Sequence, residues 1–249
     1  MEERADCEMI YRDEYLVAIN KPSGLLVHRS PIDRHETRFA VQIVRDQIGQ
    51  RVFPVHRLDK PTSGVLLFAL SGDSARALSL QFTAGTVHKE YLAVVRGHCP
   101  ASGLIDHPLQ LEPDRLAKGG RHRDGPPQSA LTCYQRLATV QIPIAVERYP
   151  ETRYSLVRLQ PTTGRRHQLR RHMKHIGYPI IGDAKHGKGV HNRFFQQQYD
   201  CHRLLLACTA MGISHPATGE RLNLQAPLDA PFSRILQAFA WEKAFTAAL

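Results

Sequence analysis

His56-Arg57-Leu58-Asp59-Lys60-Pro61-Thr62-Ser63-Gly64 follows Phe53-Pro54-Val55 and runs directly into the apolar stretch Val65-Leu66-Leu67-Phe68-Ala69-Leu70. Pro61, Ser63 and Gly64 favour a turn, and an unbroken apolar run behind such a turn reads as a buried strand. The turn places one carboxylate, Asp59, between the cations Arg57 and Lys60 at the point where a sheet begins. On residue chemistry alone, such an aspartate reads as capping the turn through Thr62 and Ser63 rather than as catalytic.

Outward from this stretch, further strands are predicted. Tyr15-Leu16-Val17-Ala18-Ile19 is closed by Asn20-Lys21-Pro22-Ser23-Gly24, and Tyr91-Leu92-Ala93-Val94-Val95 ends at Arg96-Gly97. Tyr154 to Leu159 alternates polar and apolar residues before Gln160-Pro161. Helical spacing predicts helices over about 36–48, where Val41, Val44 and Ile48 share a face, and over about 72–83 and 230–240. The best-defined helix follows Pro161-Thr162-Thr163-Gly164 and stops at Gly177, with Pro179 just beyond. On it, Leu169, Met173 and Ile176 form a narrow apolar stripe, while His167, Arg171 and Lys174 point away. Arg170 falls on the flank, suited to reaching from the core edge into a cleft. Pro108 to Ser129 lacks periodicity and reads as a long exposed loop, with Lys118, Arg121 and Arg123 as candidate phosphate contacts.

The 249 residues are 42% hydrophobic and 22% charged, which excludes collagenous and disordered classes and allows a substantial core without staples. Five scattered cysteines with no C-x-x-C pair fit reduced thiols. No run of about 18 apolar residues exists, and the start of the chain is acidic and polar, so neither a spanning helix nor a signal peptide is expected and the location expected is cytoplasmic. A net charge of +10 suits a polyanionic partner. Arg165, Arg166, Arg170, Arg171 and Lys174, with His167, His172 and His175 among them, crowd into one short segment, where phosphate contact outweighs a merely solvated helix face. A metal site on those three histidines is not expected, because their spacing is poor for a tetrahedral site and no carboxylate lies nearby. No dinucleotide, phosphate-loop or metalloprotease motif occurs, so no cofactor is expected.

The His-Arg-Leu-Asp-x-x-Thr-Ser-Gly stretch at 56–64 resembles the signature of the RluA-type pseudouridine synthases. Three further stretches match that family in order. They are Lys21-Pro22-Ser23-Gly24-Leu25-Leu26-Val27-His28, Lys89-Glu90-Tyr91-Leu92-Ala93-Val94-Val95-Arg96-Gly97, and Thr163-Gly164-Arg165-Arg166-His167-Gln168-Leu169-Arg170, the last completed by Pro179-Ile180-Ile181-Gly182-Asp183. The resemblance covers roughly residues 8–230. It implies an α+β fold, a mixed and mainly antiparallel sheet with flanking helices. It also implies that residues 1–249 form a single catalytic domain, without the separate N-terminal RNA-binding domain of some relatives. His28-Arg29-Ser30, Val44 to Gln50 and the doubled Arg170-Arg171 are most similar to members that modify uridine 65 of tRNA. Large-subunit rRNA is the alternative substrate, and a non-catalytic RNA-binding protein of the same fold is the alternative class.

The reaction so implied breaks the bond from ribose C1′ to uracil N1 and joins C1′ to C5, with no metal, redox partner or energy source. By the resemblance, Asp59 is the catalytic carboxylate, Arg170 the cation that keeps it ionised, and Tyr91 the ring that stacks on the target uracil. Leu156 is implied as an aliphatic wall on the other side of the base. Arg57 is implied in the flipped arrangement of the uridine. His56, Arg165, Arg166, Arg171 and Lys174 are expected on the RNA-binding surface, with RNA as the partner, no membrane association and a monomeric chain.

Overall fold

The computed structural model describes residues 6–29, 36–110 and 125–247. Lys118, Arg121 and Arg123 lie outside the described residues. The chain divides into two compact units, Met1–Lys89 with Cys208–Pro227 and Glu90–Ala207 with Leu228–Leu249.

In the first unit, β1 (Glu8–Arg12), β2 (Leu16–Lys21), β3 (Phe53–Pro54) and β4 (Ser63–Ala69) precede the helix α2 (Gly72–Ala84), with the helix α1 (Ala40–Ile48) between β2 and β3. β2 pairs antiparallel with β1 and with β4, and β3 pairs with β4. All seven residues of β4 are buried, as its unbroken apolar sequence requires of a strand covered on both faces. Helix α2 starts on a side-chain cap, Ser71, whose hydroxyl accepts from the Ser74 N–H, and stops at Gly85 in the left-handed conformation. α1 begins at Ala40, four residues later than the spacing predicts. Its first N–H groups are satisfied by the main chain instead, Ala40 donating to Leu26 O and Val41 to Val27 O, a long-range cap that has no local sequence signal.

The second unit is built on β5 (His88–Arg96), β6 (Ser102–Asp106), β7 (Leu131–Ile142) and β8 (Thr152–Pro161), followed by α3 (Gln168–His175) and α4 (Gly189–Tyr199). The strand order is β5-β8-β7-β6, every pair antiparallel. β9 (Leu206–Ser214) and β10 (Arg221–Gln225) form an antiparallel pair that falls largely in the first unit, and α5 (Ala230–Ala238) and α6 (Glu242–Thr246) close the chain. With the parallel bridge between Leu26 and Phe39, the architecture is the expected mixed, mostly antiparallel sheet with helices.

Strand alternation assigns each helix of the second unit to a face. Leu92 and Val94 of β5, with Tyr154 and Leu156 of β8, join a core that holds Phe194 and Phe195 of α4 and Phe232, Ile235 and Leu236 of α5. Ala93 and Val95, with Val157 and Leu159, face the other way and pack under Leu169 and Met173 of α3. Tyr91 packs against this second cluster. Leu156 therefore does not line a pocket on the Tyr91 side, contrary to expectation. It has no exposed surface and belongs to the α4/α5 core, because one step along a strand reverses the face.

Leu156→Ala should accordingly act on stability, costing about 3 kcal/mol and lowering the melting temperature by on the order of 10 °C. A thermal melt unchanged beside a large loss of activity would restore Leu156 to the pocket.

Candidate active site

Asp59 lies in the first unit, on the loop between β3 and β4. The loop turns through its main chain, with the Thr62 N–H donating to the Asp59 carbonyl at 3.0 Å. What fixes the loop is Lys21, the last residue of β2, which has no exposed surface. Its Nζ donates to the carbonyls of Pro22 (2.8 Å), Leu25 (2.8 Å) and Lys60 (3.1 Å). The Gly24 N–H donates to the same Lys60 carbonyl at 2.9 Å, and the Ser23 hydroxyl to Pro61 O at 2.8 Å. The first motif thus serves as the bed of the aspartate loop. Sequence reasoning quoted Lys21 but assigned it no task, since its three acceptors come together only in the folded chain.

Gly64 is the other end of this support. It has φ +107°, and a Cβ there would lie 2.0 Å from the Cys208 carbonyl oxygen. Only glycine permits both the conformation and that approach.

Arg57 is exposed on the same loop. Burial, aided by the Arg57 charge, holds the His28 imidazole below its usual range. His56 departs from its expected role in RNA binding. Its Nε2 accepts the Leu67 N–H at 3.0 Å, and its ring stacks on Phe82 at 4.9 Å between centroids. Burial, reinforced by Lys89, depresses its pKa to about 3. A neutral imidazole bonded to β4 is a brace for the sheet, not a phosphate-binding cation.

The remaining expected residues fall in the second unit. Tyr91 is half-buried near the start of β5, opposite Leu159 on β8. Arg170 is buried, not on a flank. Its Nε and Nη2 donate to Asp183 at 2.7 and 2.8 Å, with the two side chains 7% and 0% exposed. Burial raises the Asp183 pKa, but the bonds from Arg170 and from the His186 and Lys185 N–H groups outweigh it and leave the carboxyl below its ordinary value.

α3 is docked by polar residues that a hydrophobic pattern cannot reveal. Gln168 Oε1 accepts from the Thr163 hydroxyl and the Arg165 N–H, while its Nε2 donates to Leu131 O and the Thr132 hydroxyl. His172, fully buried, bonds the Thr132 hydroxyl through Nδ1 and His107 O through Nε2. His175 instead stacks on His107 at 3.7 Å, and His167, ahead of the helix at φ +54°, meets His186 at 3.0 Å. His172 and His175 both meet His107, one at its carbonyl and the other at its ring, while His167 meets His186, and among the described residues no group of three or more metal-ligating side chains is formed. Arg165, Arg166 and Lys174 are exposed, and Arg171 is half-buried with Nη1 donating to Gln110 O at 2.9 Å. Arg165 also donates to Ser129 O at 3.0 Å. Arg171 and Lys174 thus lie on the outer side of α3, with Arg165 and Arg166 just ahead of it in the chain.

Residues 15–175 match the family model described as RNA pseudouridylate synthase, and the chain belongs to that family. Relatives named tRNA pseudouridine synthase C from Yersinia pestis and Vibrio cholerae are 52% and 48% identical over 234 and 236 residues. The matches cover 94% and 95% of this chain and 91% and 97% of those proteins. A third protein of that name, from Pectobacterium carotovorum, is 52% identical over 94% of this chain, which spans 62% of that relative's length. Among solved structures, Human RNA Pseudouridylate Synthase Domain Containing 4 gives a TM-score of 0.68 at 28% identity, covering 94% of this chain and 93% of its own. Human RNA Pseudouridylate Synthase Domain Containing 1 shares the fold, with a TM-score of 0.69 at 24% identity over 96% of this chain and 98% of its own. Among the described residues, no helix is long and apolar enough to cross a membrane.

The state of His56 has a measurable sign. Its folded pKa lies below the unfolded value near 6.5, so the unfolded chain takes up the proton first. Stability is then full above pH 6.5 and falls as the pH drops towards 3, by up to about 1.4 kcal/mol per pH unit from this group. Urea denaturation of His56→Gln between pH 4.5 and 7.5 should show a shallower pH dependence than wild type by up to one proton. Equal slopes would mean that His56 takes up its proton at the same pH in the folded protein as in the unfolded chain.

Proposed function

We propose that this protein isomerises uridine 65 of tRNA to pseudouridine, as a cytoplasmic monomer in which both units act as a single catalytic domain. The observation that carries this reading is the Asp59 loop, held by the buried Lys21, inside a segment that matches the family. High identity to relatives named tRNA pseudouridine synthase C supports tRNA as the substrate. That the family match spans parts of both units supports their acting together.

In this mechanism the Asp59 carboxylate attacks the sugar or the base, or removes a sugar proton, with Arg170 as its cationic counterpart. The C1′–N1 bond breaks, C1′ bonds to C5, the C5 proton leaves and N1 gains a proton, so nothing is oxidised and no co-reactant is consumed. Tyr91 supplies the ring against the uracil. Extruding a stacked uridine costs about a few kcal/mol, and Arg57, exposed beside the aspartate, compensates by stacking or binding phosphate. Arg165, Arg166, Arg171 and Lys174 meet the RNA backbone.

Pseudouridine mapping on unmodified tRNA and large-subunit rRNA transcripts tests the reading. Wild type should modify a single uridine in the tRNA stem near the T-loop, and Asp59→Asn should abolish modification while RNA binding stays nearly unchanged. Modification only in rRNA would move the substrate, and turnover by Asp59→Asn would remove Asp59 from the chemistry. Arg171→Ala should weaken binding and reduce the slope of log K against log salt by roughly one phosphate contact. An unaltered slope would mean that Arg171 touches no phosphate.

A further inference from the structure

Asp183 sits in a turn whose geometry is determined from several sides. Its Oδ1 accepts the Lys185 and His186 N–H groups, each at 2.9 Å, in addition to Arg170 Nη2, and its Oδ2 accepts Arg170 Nε. Its carbonyl accepts the Gly187 N–H at 3.1 Å and Asn192 Nδ2 at 3.0 Å. Asn192 Oδ1 in turn accepts the Gly182 N–H at 2.8 Å. A Cβ on Gly187 would come within 2.3 Å of the Asp183 carbonyl oxygen, so the turn is closed as tightly as its backbone allows. A second tie to α3 runs from His186 to His167.

The same turn is bonded to β5, the strand that carries Tyr91. The Ile181 N–H donates to Val94 O at 2.9 Å, the Arg96 N–H donates to Pro179 O at 3.0 Å, and Ile180 bridges Val95. One short segment therefore sets the Arg170 guanidinium in register with the Tyr91 strand. The two bonds from Asp183 hold one edge of the planar guanidinium, which fixes its orientation as well as its place.

We propose that Asp183 is a positioning residue for the isomerisation, acting through Arg170, with the Gly182–Gly187 turn as the rigid support that aims the guanidinium. The inference rests on the reading in which Arg170 serves the Asp59 chemistry. An arginine side chain has four rotatable bonds and holds a reacting geometry only when its head group is fixed, and a displacement of about 1 Å costs on the order of 100-fold in rate. Asp183→Asn keeps the size of the side chain but sets one acceptor and one donor against two donors of Arg170.

The test is single-turnover pseudouridine formation on a tRNA transcript with enzyme in saturating excess, together with the RNA dissociation constant. Excess enzyme makes the limiting rate constant insensitive to a loss of folded protein, which a merely structural role would cause. For Asp183→Asn we expect that constant to fall about 100-fold, with RNA affinity changed by less than about threefold. A rate constant within about twofold of wild type would overturn the proposal. If Asp183→Asn does not fold, Asn192→Ala decides, since it loosens the turn and leaves the Arg170–Asp183 pair intact. It should slow the step by about tenfold, and an unchanged rate overturns the proposal. Turnover by Asp59→Asn would instead signal failure of the underlying reading, separately from any result at Asp183.

Discussion

A lysine amine with no contact to water is the constraint on which the aspartate loop depends. Leaving such a group without partners would cost several kcal/mol or drive off its proton, and Lys21 meets that demand with the carbonyls of Pro22, Leu25 and Lys60. An ammonium has three donors, and three acceptors are what the folded loops present. Two of those carbonyls belong to the chain leaving β2, and the third belongs to the residue after Asp59. Neither loop can change shape without stranding the amine, so the two segments adopt their conformations together. The placement of the carboxylate is thereby tied to the end of a buried strand.

The second unit meets a different constraint, the two-residue period of a strand covered on both sides. Once β5 and β8 are buried on each face, every side chain on them is assigned to one helical layer. Val157 and Leu159 fall on the α3 side with Tyr91, and Leu156 falls on the α4/α5 side. Polar docking completes the α3 layer, because Gln168 and His172 satisfy each other's neighbourhood through the Thr132 hydroxyl. A helix attached in this way is specified in rotation as well as position, which a purely apolar stripe does less well.

Much of this was legible in the sequence. The apolar runs that became β2, β4, β5 and β8, the Ser71 and Gly85 ends of α2, and the stop of α3 before Gly177 all carry local signals that tertiary structure did not override. Asp59, Tyr91 and Arg170 were singled out by motif, which carries no information on their environments. His56 and Leu156 were misread because motif position says nothing of which way a side chain faces, and a hydrogen bond to β4 or a core of phenylalanines decides that. Arg170 looked like a flank residue since a helical wheel has no means of showing a buried aspartate thirteen positions further along the chain. β7 was missed for a related reason. Its burial alternates irregularly, with a register shift between Arg136 and Ala138, so no clean period marks it.

The glycine at position 64 limits how this neighbourhood can vary over evolutionary time. The volume that any other side chain would need is already occupied by the Cys208 carbonyl oxygen, so both strands would have to separate before a substitution could be accepted. Position 64 is therefore closed to gradual change, and Asp59, five steps upstream, inherits that immobility. Surfaces away from the β4 entrance are under no such limit, and on the outer side of α3 arginine and lysine can be exchanged without moving any backbone.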